Sequence, residues 1–344
     1  MGHSEFQMIA FKPPAFWWHS LGWQAALFSP IALAYNAIAC WRLSNGKRAR
    51  VGVPVLCIGN FTVGGGGKTP TALALGHAAQ QLGLKPGFLS CGYGGSHLGP
   101  VLVEQHHSAA LVGDEALLLA AVAPTVVADD RRLAAKFLIE TGVDFIIMDD
   151  GFQSAGIAFD YALLVIDADR GFGNGMVFPA GPLRAQISQQ VQLANAVLLI
   201  GEGSVDIRAI EQNASADMPV FKATLRPHDP EHFRGRRVLA FAGIANPGKF
   251  YRSLCGIGAD VVVTRDFPDH HSFTETEMRR LLEAAEHAKL SLVTTRKDAV
   301  RIDQTKKYGC RLASVVEVLD VGLAFGQPGL ASNVIGNTQA NHRK

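Results

Sequence analysis

The 344-residue chain is long for one domain, and at 48% hydrophobic and 18% charged residues it can fill a sizeable core in each of two. A net charge of +2 argues against the strong positive field of a nucleic-acid binder. The five cysteines (Cys40, Cys57, Cys91, Cys255 and Cys310) are odd in number and show no metal-ligand or redox spacing, which fits a reduced cytosolic setting rather than a disulfide scaffold.

The first expected element is apolar. Pro13 to Trp41 contains no charged residue and holds all four tryptophans, Trp17, Trp18, Trp23 and Trp41. Arg42, Lys47, Arg48 and Arg50 follow directly. Tryptophan favours the headgroup boundary and basic residues favour the anionic cytoplasmic side. With Pro30 interrupting the segment, and His19, Gln24 and Asn36 within it, the pattern predicts a helix lying on a membrane surface. A spanning helix and a helix buried in the protein remain alternatives. A signal peptide fits less well, because the only early base is Lys12.

Strands and helices then alternate. The β-rich run 53–59 leads into glycines and a helix-forming stretch from Pro70 to Gly83. Strands are expected at 86–90, 124–129, 143–150, 161–168 and 195–201, with helices at 114–122 and 131–142 between them. Such near-continuous apolar strands predict a parallel sheet covered on both faces. A polar stretch near residues 205–235 marks a domain boundary, after which the pattern restarts at Arg236. The division is therefore 1–50, a membrane-associated helical segment; 51–215, a P-loop core; 216–325, a smaller α/β domain; and 326–344, a disordered tail rich in Gly, Asn, Gln and Ser.

Two motifs carry chemistry. In "TVGGGGKTP" the residues Thr62, Val63, Gly64, Gly65, Gly66, Gly67, Lys68 and Thr69 read as a P-loop between strand and helix. Its N–H groups and the helix N-terminus would cradle phosphates, Lys68 would neutralise them, and the Thr69 hydroxyl would hold Mg²⁺. In "IIMDDGFQ" an apolar strand ends in Asp149 and Asp150, a Walker-B arrangement in which Asp149 would bind the same Mg²⁺ directly or through water and Asp150 would assist in holding that metal or orient a neighbour. Arg184 suits a substrate or nucleotide phosphate through its planar fork, and Arg131 is a second candidate. Lys297-Asp298 reads either as a surface ion pair or as part of the nucleotide site.

Together with "CGYGG", "VGDEALLLA", "GFGNG…FPAGPLR", "FPDHHSF" and "TTRKDAV", these motifs resemble the tetraacyldisaccharide 4′-kinase family over roughly residues 50–300. Thr at the opening P-loop position, here Thr62, is usual in that family. The resemblance implies a P-loop NTPase-like α/β fold with a second, smaller α/β domain and a membrane-associated N-terminal helix. It implies ATP and Mg²⁺ as donor and cofactor. The acceptor would be the 4′-hydroxyl of a tetraacylated glucosamine disaccharide 1-phosphate, and the product lipid IVA. It places the enzyme at the cytoplasmic face of a bacterial inner membrane, peripheral or monotopic. Asp114 matches the family aspartate that deprotonates the sugar hydroxyl, and His270 matches its partner. Three positions depart from the family's usual residues: Cys91 for Arg, Ala185 for Glu and Arg296 for Glu. Two other readings share the P-loop: a nucleotide-hydrolysing switch or delivery factor, and a membrane-docking protein with a degenerate nucleotide site. No Asn-Lys-x-Asp signature or Cys/His cluster supports the former.

Overall fold

A computed structural model of the protein describes residues 13–344 apart from Leu98, Ala155 and Ala216, so residues 1–12 of the expected membrane segment lie outside the described part. Two compact units emerge, one of residues 14–228 with 321–344, the other built on residues 229–320.

In the larger unit, helix α1 (Trp23–Asn45) precedes β1 (Val55–Asn60) and α2 (Lys68–Gln81). Next come β2 (Pro86–Ser90), β3 (Val101–Leu102), α3 (Ala109–Val112), α4 (Asp114–Ala120), β4 (Thr125–Val127), α5 (Arg131–Glu140) and β5 (Phe145–Asp149). The run continues with β6 (Tyr161–Asp167), α6 (Ile187–Gln192), β7 (Ala196–Ile200), α7 (Arg208–Glu211) and β8 (Val220–Pro227). The smaller unit holds β9 (Arg237–Ala242), α8 (Pro247–Gly256), β10 (Asp260–Asp266), α9 (Glu275–Ala288), β11 (Ser291–Thr295), α10 (Arg296–Ala299), α11 (Lys307–Val315) and β12 (Glu317–Leu319). The chain then returns to the larger unit as β13 (Val321–Phe325) and α12 (Leu330–His342).

The larger sheet has the order β13-β8-β7-β6-β1-β5-β2-β4-β3 and is parallel except for the antiparallel edges β3 and β13. Strand β1 lies inside it, and every residue of β1 is buried. Its side chains alternate between two cores, as a doubly covered strand must. Leu56 and Ile58 pack with Leu75 of α2 and with Val334 and Ile335 of α12. Val55 and Cys57 pack on the other face with Leu138 of α5 and Val191 of α6. The smaller sheet, β10-β9-β11-β12, is wholly parallel. Its core joins Leu239 and Phe241 to Met278, Leu281 and Leu282 of α9, whose start is fixed by a capping box between Thr274 and Glu277.

Three expectations are corrected here. Pro30 does not interrupt α1, which runs through it. Proline removes the N–H that would bond the Ala26 carbonyl. The Ser29 hydroxyl donates to that carbonyl instead, at 2.7 Å. The tail is not disordered: Leu330, Val334, Ile335 and Thr338 recur at helical spacing and bury one face of α12. Composition misleads because four well-placed residues suffice to dock a helix whose other face is polar. Finally, β8 pairs with β7 and β13. Residues 216–228 and 321–325 therefore belong to the larger unit, not to the second domain.

Helix α1 is inverted relative to an ordinary surface helix. Ala25, Ala32 and Leu43 are buried, while Trp23, Leu27, Ile31, Leu33, Ile38 and Trp41 are all more than half exposed. Apart from Leu43 in the last turn, small residues face the protein and large apolar ones face out. Asn36 is on the inner side, where its Oδ1 accepts the Gln186 N–H at 3.0 Å. By length and composition α1 could cross a bilayer.

Candidate active site

Parallel strands bring the loops after β1, β2 and β5 to one sheet edge. The loop after β1 is organised by Asn60, the last residue of that strand. Its Nδ2 donates to the Thr62 carbonyl at 2.6 Å and to the Gly64 carbonyl at 3.1 Å. Its Oδ1 accepts from Lys68 Nζ at 3.2 Å. Gly67 closes the loop as the cap of α2 with φ 90°, and a Cβ there would stand 2.6 Å from Ile200 Cδ1. Only glycine satisfies both constraints. Thr62, by contrast, forms an antiparallel bridge with Leu183, and Val63 N–H donates to the Pro182 carbonyl at 2.7 Å. The opening position is thus strand-like, which explains why a β-branched residue stands where other P-loops carry glycine.

The two aspartates at the end of β5 part company. Asp149 continues the strand and faces Thr69, whose hydroxyl lies 3.4 Å from Asp149 Oδ2; both residues are buried. Asp150 has φ 55°, which swings its side chain toward cations. Its Oδ2 lies 2.9 Å from Arg184 Nη2 and 3.5 Å from Lys68 Nζ. Burial works against ionisation of Asp150, but Arg184, Lys68 and Arg131 outweigh it and hold the carboxyl well below the usual carboxylate range. Arg184 also donates through Nε to the Thr62 carbonyl at 3.2 Å. In this structure Arg184 is the counter-ion of Asp150 and a brace of the loop entrance. Arg131 is 5% exposed, and its Nη2 reaches the Asp150 carbonyl at 3.5 Å.

Asp114 opens α4 directly after Gly113 and is 3% exposed. It is the first helical residue, with Gly113 in the cap position, so its own side chain is not the cap. Its Oδ1 accepts the Glu115 N–H at 2.8 Å. The segment that follows the glycine loop after β2 is strapped to α3, just before this turn, through Ser96 N–H to the Ala110 carbonyl at 3.1 Å and His97 N–H to the Leu111 carbonyl at 3.0 Å, and a Cβ on Gly113 would stand 2.8 Å from the Tyr93 carbonyl of the loop itself. Asp114 and "CGYGG" are therefore one assembly at the P-loop edge of the sheet.

His270 lies in the smaller unit on the turn after β10, with φ 57°. Asp298, read from sequence as a surface or nucleotide-site residue, is fully buried and bonded to Arg301 and Thr295 of its own unit. Sequence reasoning missed Asn60, Gln153 and Arg301. The Gln153 amide donates to the Asn60 carbonyl at 3.1 Å, and "DDGFQ" was the signal that could have marked it. Of the departures, Ala185 is buried with its carbonyl accepting from Gln190 at 2.7 Å, and Arg296 makes a two-bond pair with Asp320 at 2.8 and 2.6 Å. Burial pushes the Cys91 thiol up, against the pull of Arg131.

A family model described as Tetraacyldisaccharide-1-P 4′-kinase matches residues 24–338. The chain belongs to this kinase family. A tetraacyldisaccharide 4′-kinase of Agrobacterium fabrum is 50% identical to this kinase over 337 residues, covering 98% of this chain and 97% of that protein. One from Chelativorans is 46% identical over 338 residues, with 98% of each covered. Among solved structures, LpxK from Aquifex aeolicus in complex with ATP superposes with a TM-score of 0.69 at 23% identity, covering 92% of this chain and 99% of that one. That likeness supports the fold of this kinase, a P-loop sheet with an apolar N-terminal helix.

Proposed function

We propose that this kinase transfers the γ-phosphate of ATP to the 4′-hydroxyl of a tetraacylated glucosamine disaccharide 1-phosphate, giving lipid IVA. Family membership over nearly the whole chain supports the reaction. The single structural observation that carries it is the Asn60–Lys68–Asp150–Arg184 network around a loop with its glycines intact. A degenerate site would have no reason to keep a buried lysine organised from two sides.

In this reading the N–H groups from Gly64 to Lys68 bind the phosphates, and Lys68 leaves Asp150 for the transferring group. Arg184 then keeps Asp150 neutralised. Thr69 and Asp149 offer two buried oxygens suited to a hard divalent cation. Among the described residues no three His, Cys, Asp or Glu side chains form a metal site on their own. The fit is thus to Mg²⁺ arriving with nucleotide, where it would neutralise phosphate charge. Asp114, buried at the start of α4, is the proposed base for the sugar hydroxyl, and His270 its proposed partner.

The exposed apolar face of α1 is proposed to rest in the cytoplasmic leaflet of the inner membrane, where a four-chain lipid resides. Replacing Leu27 and Ile31 together by Glu should release the enzyme. Each aliphatic side chain contributes about 1.5–3 kcal/mol when buried, so vesicle binding should fall at least about 10²-fold. Melting should hardly change, since both residues are exposed. Co-sedimentation with anionic vesicles checks this, and full retention of the variant would sink the anchor. Deleting residues 1–41 is a poorer test, because Trp17 Nε1 bonds the Pro179 carbonyl at 3.0 Å and Asn36 bonds Gln186.

The function itself is tested by ATP consumption with and without detergent-dispersed disaccharide lipid. Turnover should require the lipid. Lipid-independent hydrolysis would favour a nucleotide switch, and no turnover in either case would favour a binding protein.

A further inference from the structure

The geometry points to Asp298 and Arg301 as positioning residues that hold the Asp269–His270 turn in place, through the peptide groups of Gly243. The inference rests on the reading that His270 takes part in phosphoryl transfer.

Gly243 follows β9 and is gripped on both sides. Its N–H donates to Asp298 Oδ1 at 2.9 Å, and its carbonyl accepts from Arg301 Nη1 at 2.6 Å. Arg301 Nη1 also bonds Asp298 Oδ1 at 2.9 Å, and Thr295 Oγ1 donates to Asp298 Oδ2 at 2.6 Å. The same Gly243 carbonyl accepts the His270 N–H at 3.2 Å. Just before the turn, Phe267 N–H donates to the Ala242 carbonyl at 2.9 Å. The turn is thus stitched to the end of β9 at two successive carbonyls, and the second is held by a buried ion pair.

Two arguments assign this device to geometry. A buried ion pair is a weak stabiliser, because desolvation offsets its attraction and apolar residues of equal volume do as well. Asp298 is fully buried and the Arg301 side chain is 3% exposed, so the arrangement is unfavourable unless its directional bonds matter. Meanwhile His270, a non-glycine residue, is held at φ 57°. Such a backbone persists only when its surroundings over-determine it. Gly243 completes the fit: a Cβ there would stand 2.9 Å from the Pro268 carbonyl and 3.1 Å from Asp298 Oδ1.

The test uses the full-length enzyme with ATP and detergent-dispersed disaccharide lipid. Asp298→Asn should lower kcat by about 10²-fold, the cost of misplacing a group by about 1 Å, with KM for ATP little changed. Combined with His270→Ala it should add nothing, since residues acting as one unit are non-additive. In ¹³C-histidine-labelled protein the His270 ring resonance should move in Asp298→Asn while that of His342, in the larger unit, stays. A folded Asp298→Asn enzyme at wild-type kcat, or losses that multiply with His270→Ala, would overturn the proposal. If Asp298→Asn does not fold, Gly243→Ala, which keeps both charged side chains but crowds the Pro268 carbonyl and Asp298 Oδ1, carries the same expectations, and wild-type kcat there overturns it equally. If His270→Ala itself turns over normally, the role given to His270 fails instead. An unmoved His270 resonance in Asp298→Asn would then still refute the positioning.

Discussion

Lys68→Ala is expected to reduce lipid-kinase turnover by roughly 10²–10³-fold, the usual cost of losing one preorganised charge at a transferring group. The fold should survive. Asp150 keeps Arg184 at 2.9 Å, and Asn60 keeps its bonds to the Thr62 and Gly64 carbonyls. The lost bond to Asn60 and ion pair to Asp150 involve a buried charged group and cost about 1–3 kcal/mol, which a domain of this size can absorb. A purely structural lysine predicts the opposite pattern, a lower melting temperature with turnover per folded molecule intact. Rate and thermal melting measured on one preparation separate the two. A folded variant at near wild-type rate would remove the P-loop from the chemistry.

Asp114→Asn should give a folded but slow enzyme. Asparagine keeps an oxygen for the Glu115 N–H that Asp114 now accepts at 2.8 Å. What disappears is a charge at a helix start, worth about 0.3–1 kcal/mol, and the ability to take a proton. Loss of a positioned base costs roughly 10²–10⁴ in rate. A merely structural Asp114 predicts near-normal turnover with a slightly lower melting temperature. If Asp114 and His270 act together, the Asp114→Asn/His270→Ala double variant should be little slower than the worse single one. A folded Asp114→Asn enzyme at wild-type rate would send the search for a base to Asp149.

Much of this was legible in the sequence, for physical reasons. A strand buried on both faces must be an unbroken apolar run, so "VLCIG", "FIIM", "ALLVI" and "AVLLI" declare themselves. Phosphate binding demands glycines and a lysine at fixed offsets, so the loop declares itself too. What stayed hidden depends on three dimensions. Nothing in "DDG" says that the second aspartate adopts φ 55° and turns to Arg184 while the first stays with Thr69. Nothing local says that Asp298 points inward, since ion pairs are common on surfaces and rare in cores. Pro30 and the tail were misread because local propensity ignores a hydroxyl one residue away and a core waiting to be covered. The resemblance to a family supplied Asp114 and His270, which no spacing rule would have singled out.

The return of the chain to its first unit bears on how the protein is made. Pro227 pairs with Val321 across the antiparallel edge, and residues 228–320 intervene between these partners. On the ribosome, domains ordinarily fold as they emerge, the earlier one first. Here the earlier unit waits. Until Val321–His342 has left the exit tunnel, β8 lacks its edge partner and the core around Leu56, Ile58 and Leu75 lacks Leu330, Val334 and Ile335. The smaller unit, with every strand of its sheet already synthesised, can close first. The nascent P-loop unit meanwhile carries an uncovered apolar face together with α1, the one helix among the described residues long and apolar enough to cross a bilayer, which puts the demand for chaperone or membrane contact on this interval of synthesis.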